Sequence, residues 1–211
     1  MIMIEKLCHL LEQESQWEKN IFHLLNGRYA LGDYFFWLCS NSWLEACIYI
    51  SCLWIFLHKK NYKEALLVIL SVALVFFLCE WISSSLFKPI FHRLRPTYHP
   101  DFKECVNTVF GYLGAGTYGF ISGHTTNAFG FATITALIFR SRIYVWTILL
   151  FACLIGYSRI YLGVHFISDV LVGVLVGLSL GYLVYKLYKS CQIYFLKKNH
   201  ITISFNRNKT S

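Results

Sequence analysis

Along this chain the sequence runs apolar for about twenty residues at a time, near positions 33–57, 64–87, 123–139, 143–162 and 166–185. A helix needs roughly 20 such residues to cross a bilayer core of about 30 Å. Within hydrocarbon, only helices or closed barrels satisfy every backbone N–H and C=O. The runs therefore predict an all-α, polytopic transmembrane helix bundle of about five spans, with the third short at its edges. The chain is 14% charged, against roughly 25% for soluble domains.

Residues 1–30 read differently. Glu5, Glu12, Glu14 and Glu18 interrupt any signal-peptide core, and no small-residue cleavage site follows. Ile4, Leu7, Leu11, Ile21 and Leu25 fall near helical spacing. This predicts an amphipathic helix, either lying on the membrane surface or packed on the bundle. One domain over 1–211 is expected: this segment, a core at 60–185, and a basic tail at 186–211. None of the eight cysteines forms a C-x-x-C pair. Pairing of Cys8 with Cys105 is open, resting only on shared sidedness. Gly173, Gly177 and Gly181 recur every four residues, a spacing that lets helices approach closely in lipid. Packing within the chain is the first reading of that stripe, and a homodimer through it the second.

If the spans alternate, Lys59, Lys60, Lys63, Arg140, Arg142 and the six basic residues after position 185 share one side, eleven in all, against eight on the other. Cytoplasmic loops carry the excess of Lys and Arg. The tail is accordingly expected in the cytoplasm of an inner-membrane protein, beside anionic lipid. Nucleic acid is not needed to explain the net charge of +8.

The same alternation puts three polar clusters on the opposite face. Lys88 and Arg95 bracket "KPIFHRLRP", seven residues apart, or two helical turns if the segment coils. Snorkelling interfacial cations are the alternative for Lys88, Arg93 and Arg95. Ser122, Gly123 and His124 open the third span, where free N–H groups and the dipole favour an anion. Ser122 as a plain N-cap is the alternative. His165 and Asp169 are four apart, so that on a helix they share a face. There the carboxylate fixes the imidazole tautomer and leaves Nε2 free. Arg159 stands just before them, across a bend at Gly163. The alternative is a helix-stabilising pair beside an interfacial arginine. The long segment 88–122 holds all three prolines and four glycines, which suggests a mobile cover. Glu45 and Glu80, inside the first two spans, are given structural roles.

Together the clusters supply cations, imidazoles and a helix N-terminus suited to a phosphate dianion. Phosphoryl transfer rests on positioning and charge neutralisation. Asp33, Asp101, Glu104 and Asp169 share no spacing for magnesium, so Lys and Arg would do the neutralising.

In this order and spacing the residues resemble the type 2 phosphatidic acid phosphatase family of membrane lipid phosphatases, whose core is shared with vanadium haloperoxidases. The family signature K-x6-R-P, P-S-G-H, S-R-x5-H-x3-D is matched by Lys88…Arg95-Pro96, Ile121-Ser122-Gly123-His124 and Ser158-Arg159…His165…Asp169. Ile121 departs from the usual proline without removing a functional group. The family often has six spans; five plus the amphipathic segment put the N-terminus outside. The resemblance implies His165 as nucleophile through a phosphohistidine, Asp169 as its orienting partner, and His124 as acid and then base. It implies Lys88, Arg95, Arg159, Ser122 and Gly123 as phosphate-binding residues, with no metal and no cofactor. The implied partners are the bilayer and a lipid phosphate whose head lies at the periplasmic or outer face. Undecaprenyl diphosphate or lipid A phosphate lead, with phosphatidylglycerol phosphate or phosphatidate as alternatives. A non-enzymatic lipid-binding or transport protein is the rival class. A transporter would repeat charges at mid-span, where only Glu45 and Glu80 occur; a non-catalytic relative would lack His165 or His124.

Overall fold

The computed structural model describes residues 16–27, 29–100 and 102–207, with side chains from Trp17 to Tyr194. The early part of the amphipathic stripe, Cys8 and Lys209 lie outside these residues; Cys105 is exposed, with a free thiol. The elements are α1 Gln16–Leu25, α2 Ala30–Cys39, α3 Ser42–Leu57, α4 Tyr62–Glu80, a π-helical segment Trp81–Phe87 running into α5 Lys88–Phe91, α6 Gly123–Phe139, α7 Arg142–Tyr161 and α8 Ile167–Arg207. Among the described residues the only extended pairing is a single bridge, Leu94 to Tyr118.

Polar residues mark where helices start. Asn41 accepts from the N–H groups of Trp43 and Leu44, Asn61 from Glu64, and Ser141 from Tyr144, each satisfying first-turn donors that lack an intrahelical partner. The Asn41 cap corrects one expectation. The apolar run at 33–57 is not one rod. It breaks at Ser40 and Asn41, and α2 and α3 meet at a bend of 58°. Among the described residues three helical stretches are long and apolar enough to cross a bilayer, or four if this bent pair is one span, against the five expected.

α6 is the centre of the bundle, packed against α4, α7 and α8. Its 17 residues span about 26 Å, and most of its side chains, including Thr125, Thr126 and Thr135, are buried. The hydroxyls of Thr126 and Thr135 bond back to the carbonyls of Ser122 and Phe131, at 2.9 and 2.6 Å. The glycine stripe explains the tight fit. A Cβ on Gly177 would lie 2.5 Å from the Thr126 carbonyl oxygen, and one on Gly181 2.7 Å from that of Gly130. The stripe faces α6 of the same chain and is buried there, so that face is not open to a second copy.

The outside is apolar. Trp43, Trp54, Trp146, Leu171 and Leu183 are all more than half exposed. A soluble monomer rarely shows contiguous apolar patches above a few hundred Å²; a membrane protein does. The chain is a membrane protein built as a helix bundle. α1 packs on α7 and α8, turning Glu18, Phe22 and Asn26 inward, one residue per turn, and Trp17, Ile21 and Leu24 outward. α3 stands further off. It reaches the bundle through aromatic contacts, Tyr49 to Phe131 at 4.4 Å and Phe56 to Phe139 at 4.1 Å, and a cavity fills the gap it leaves.

Candidate active site

The cavity, about 580 Å³, has two halves. Ala46, Ile50 and Leu53 of α3 and Ile69, Val72, Ala73 and Phe76 of α4 form an apolar arm. Lys88, Arg95, Tyr112, Gly123, His124, Arg159 and His165 form a polar floor. Motif residues as far apart in the chain as Lys88 and His165 thus line one space.

His165 is 2% exposed. It lies two residues before α8 begins, rather than on its first turn. Asp169 sits at the third helical position and accepts from the N–H of Phe166 at 3.0 Å, the return half of a capping box. His165 Nδ1 faces Asp169 Oδ2 at 3.5 Å, longer than a formed hydrogen bond. On the other side, Arg95 Nη1 donates to His165 Nε2 at 2.9 Å. A guanidinium has no acceptor, so Nε2 carries the lone pair and Nδ1 the proton. Burial, and then the Arg95 charge, push the imidazole pKa down to about 3, so this ring is neutral at physiological pH.

Arg95 is not on the helical extension that two turns would have required. α5 ends at Phe91, His92 takes a left-handed conformation, and Arg95 is extended. It is clasped by the glycine-containing loop. Nε donates to the Gly116 carbonyl at 2.9 Å, Nη2 to that of Ala115 at 2.9 Å, and Nη1 to that of Val164 at 3.1 Å. Gly114, at φ +84°, passes so close that a Cβ there would lie 3.0 Å from Nη1. The glycines wrap a cation.

Arg159 is the complement. It stands in the last turn of α7 at 1% exposure, and Nη2 donates to the Tyr112 hydroxyl at 3.0 Å. Its Nε and Nη1 are buried with no hydrogen-bond partner among the described residues. A buried charge with idle donors is costly, and these donors belong to a residue that lines the cavity. Lys88 reaches Ser84 Oγ at 3.2 Å, and Ser84 donates to Glu80 Oε1 at 2.6 Å. Glu80 and Lys88, set apart by their eight-residue separation, are therefore joined through the π-helical segment.

Gly123 and His124 open α6 on the cavity, and no side chain caps that helix. Ser122 does not act as the cap. It is fully buried, accepts from Thr125 Oγ1 at 2.9 Å and stands behind the cavity wall. His124 Nε2 is 3.3 Å from Ser42 Oγ and 3.9 Å from Glu45 Oε1.

Two functional-looking residues escaped the motif reading. Arg93 is no snorkelling cation: it is 3% exposed, donating to Asp169 Oδ1 at 2.7 Å and to Glu18 Oε2 at 2.9 Å. It also contacts Ser168 Oγ, which with its own N–H donates to Glu18 Oε1, at 2.6 and 3.0 Å. Asp169 is thereby held through Arg93 from α1. The inward repeat of Glu18, Phe22 and Asn26 was the available signal.

The PAP2 superfamily model matches residues 64–192. The chain belongs to the PAP2 superfamily. It is 49% identical over 172 residues to a lipid A 4'-phosphatase of Porphyromonas gingivalis, covering 81% of this chain and 72% of that one. It is 31% identical to a lipid A 4'-phosphatase of Bacteroides thetaiotaomicron, covering 83% and 79%. Among solved structures, Aquifex aeolicus LpxE superposes with a TM-score of 0.61 at 28% identity, covering 83% of this chain and 98% of that one. The expectation of a membrane lipid phosphatase is met at the level of class and fold.

Proposed function

We propose that this PAP2 enzyme removes phosphate from a lipid A-type glycolipid phosphate, working without a metal through a phosphohistidine at the periplasmic or outer face. The observation that carries the reading is the buried Arg159 guanidinium, with Nε and Nη1 idle beside a neutral imidazole. Phosphate oxygens are the acceptors such a fork fits. Arg95, Lys88 and the first N–H groups of α6 add to the grip. The Ser122 hydroxyl takes part only if it turns from Thr125.

His165 Nε2, released from Arg95 as phosphate oxygens take over its donors, attacks phosphorus. The P–O bond to the lipid alcohol breaks as His124, protonated beside the bound phosphate anion, donates that proton to the leaving oxygen and becomes neutral. His124 then takes a proton from water, the hydroxide attacks phosphorus, and the P–N bond breaks to release phosphate. Asp169, oriented by Arg93 and Phe166, stabilises the Nδ1 proton of His165 throughout. The 49% identical lipid A 4'-phosphatase supports the substrate, and the apolar arm of the cavity supports an acyl chain. The bias of basic residues supports a cytoplasmic tail and an active site facing away from the cytosol.

The test is phosphate release by purified protein from lipid A 4'-phosphate, undecaprenyl diphosphate, phosphatidylglycerol phosphate and phosphatidate, with EDTA present. Lipid A phosphate is expected to be the best substrate. His165→Ala and His124→Ala should each lose at least about a thousandfold, as when a nucleophile or its acid–base partner is removed. Wild-type rates in either variant would overturn the mechanism, and a better rate on another lipid would overturn the substrate.

A further inference from the structure

A pocket built only to grip phosphate would be cationic on every wall, and this one is not. Glu45 from α3 and Glu80 from α4 both line it. Glu45 is 6% exposed, and its Oε1 has no formed hydrogen bond among the described residues, the nearby Tyr49 hydroxyl one turn along α3 being likewise unbonded. It faces His124 Nε2 from 3.9 Å, beyond hydrogen-bonding reach. Glu80 accepts from Ser84 Oγ at 2.6 Å and Asn127 Nδ2 at 3.4 Å. A carboxylate offers about four acceptor sites, so capacity remains. Its Oε2 lies 3.8 Å from where a Cβ on Gly123 would stand. Glu45 thus faces His124, and Glu80 the start of α6 at Gly123, from two different helices.

Glu80 reaches Lys88 only through Ser84, and among the described residues neither carboxylate is taken up in a direct pair with the site's cations. No ion pair among the described residues joins Glu45 or Glu80 to Lys88, Arg95 or Arg159. Acceptors left unmet at a cavity wall call for donors on the ligand. Their place says which half of the ligand. On the reading above, on which this inference rests, His124 protonates the leaving oxygen, so the groups beside it face the alcohol half.

We propose that Glu45 and Glu80 form a donor-recognition subsite that selects a phosphate monoester carried by a sugar with hydroxyl or amide N–H groups beside the ester. Phosphatidate has only acyl esters next to its phosphate and leaves the carboxylates unpaired. A prenyl diphosphate brings a second anionic phosphate to the same wall and is repelled. Sites built to hydrogen-bond a substrate group discriminate strongly against analogues that lack it.

The test compares kcat/KM on an acylated glucosamine 4-phosphate and on phosphatidate of matched chain length, in one detergent, for wild type, Glu45→Gln, Glu80→Gln and His165→Ala. Each glutamine variant is expected to lower the sugar-to-phosphatidate ratio at least tenfold, through a greater loss on the sugar substrate. An unchanged ratio, or equal losses on both substrates, would overturn the subsite, since an effect exerted through His124 or through folding is blind to the alcohol. Glu80 is exposed to the cavity, so Glu80→Gln decides the matter if Glu45→Gln does not fold. His165→Ala should lose both substrates; phosphate release by that variant would instead sink the catalytic reading beneath this one.

Discussion

At the scale of single residues the site sets two guanidinium groups against one neutral ring. Arg95 makes four hydrogen bonds, to three carbonyls and His165, whereas among the described residues Arg159 keeps two nitrogens idle. The neutrality of His165 has a measurable thermodynamic side. Its ordinary pKa is about 6.5, and in the folded protein it is about 3. As pH falls between these values, the unfolded chain takes up a proton there and the folded chain does not. Stability therefore falls with falling pH across that window. Thermal unfolding in detergent from pH 7 to about 4 should show a shallower acid slope for His165→Asn than for wild type. Equal slopes would mean that the folded protein protonates this ring. For catalysis the same neutrality means the nucleophile is ready at neutral pH without giving up a proton.

At the scale of elements, α1 is part of the site although it lies outside the family's matched residues. Glu18 is buried against Arg93 at 2.9 Å, and Arg93 holds Asp169. Removing one partner of a buried ion pair leaves an uncompensated charge worth about 3–5 kcal/mol. Glu18→Ala should destabilise the protein by about that much and lower kcat more than it raises KM, because Asp169 loses its orientation. Glu18→Gln, which keeps an oxygen for Ser168, should recover part of both. A variant with wild-type stability and turnover would show that α1 is not coupled to Asp169. Legibility follows the range of each interaction. The apolar runs recur at span length and the motif residues sit at fixed gaps, and so were readable. The Glu18–Arg93 pair spans 75 residues; the repeat of Glu18, Phe22 and Asn26 marks an inward face of α1 but does not name the partner. The bend at Asn41 lies at Ser40-Asn41-Ser42, three polar residues inside a run otherwise apolar enough to read as one span. The π-helical segment changes register without any glycine or proline, and so concealed the link from Glu80 to Lys88.

At the scale of the molecule, α6 is ringed by α4, α7 and α8, and the glycines of α8 allow the approach. Gly177→Ala would push a Cβ to 2.5 Å from a backbone carbonyl oxygen that cannot swing aside. Overpacking of this kind costs about 1–3 kcal/mol. The thermal midpoint should drop accordingly, and an unchanged midpoint would mean the helices part freely. The clasp around Arg95 bears on the enzyme as a whole. A cation anchored by the chain's own oxygen atoms stands in the same place before, during and after each encounter. A free lysine would have to be stilled afresh every time a lipid arrived. The anchored fork makes the resting enzyme already resemble its occupied form, and leaves the energy of each new contact to the phosphate itself.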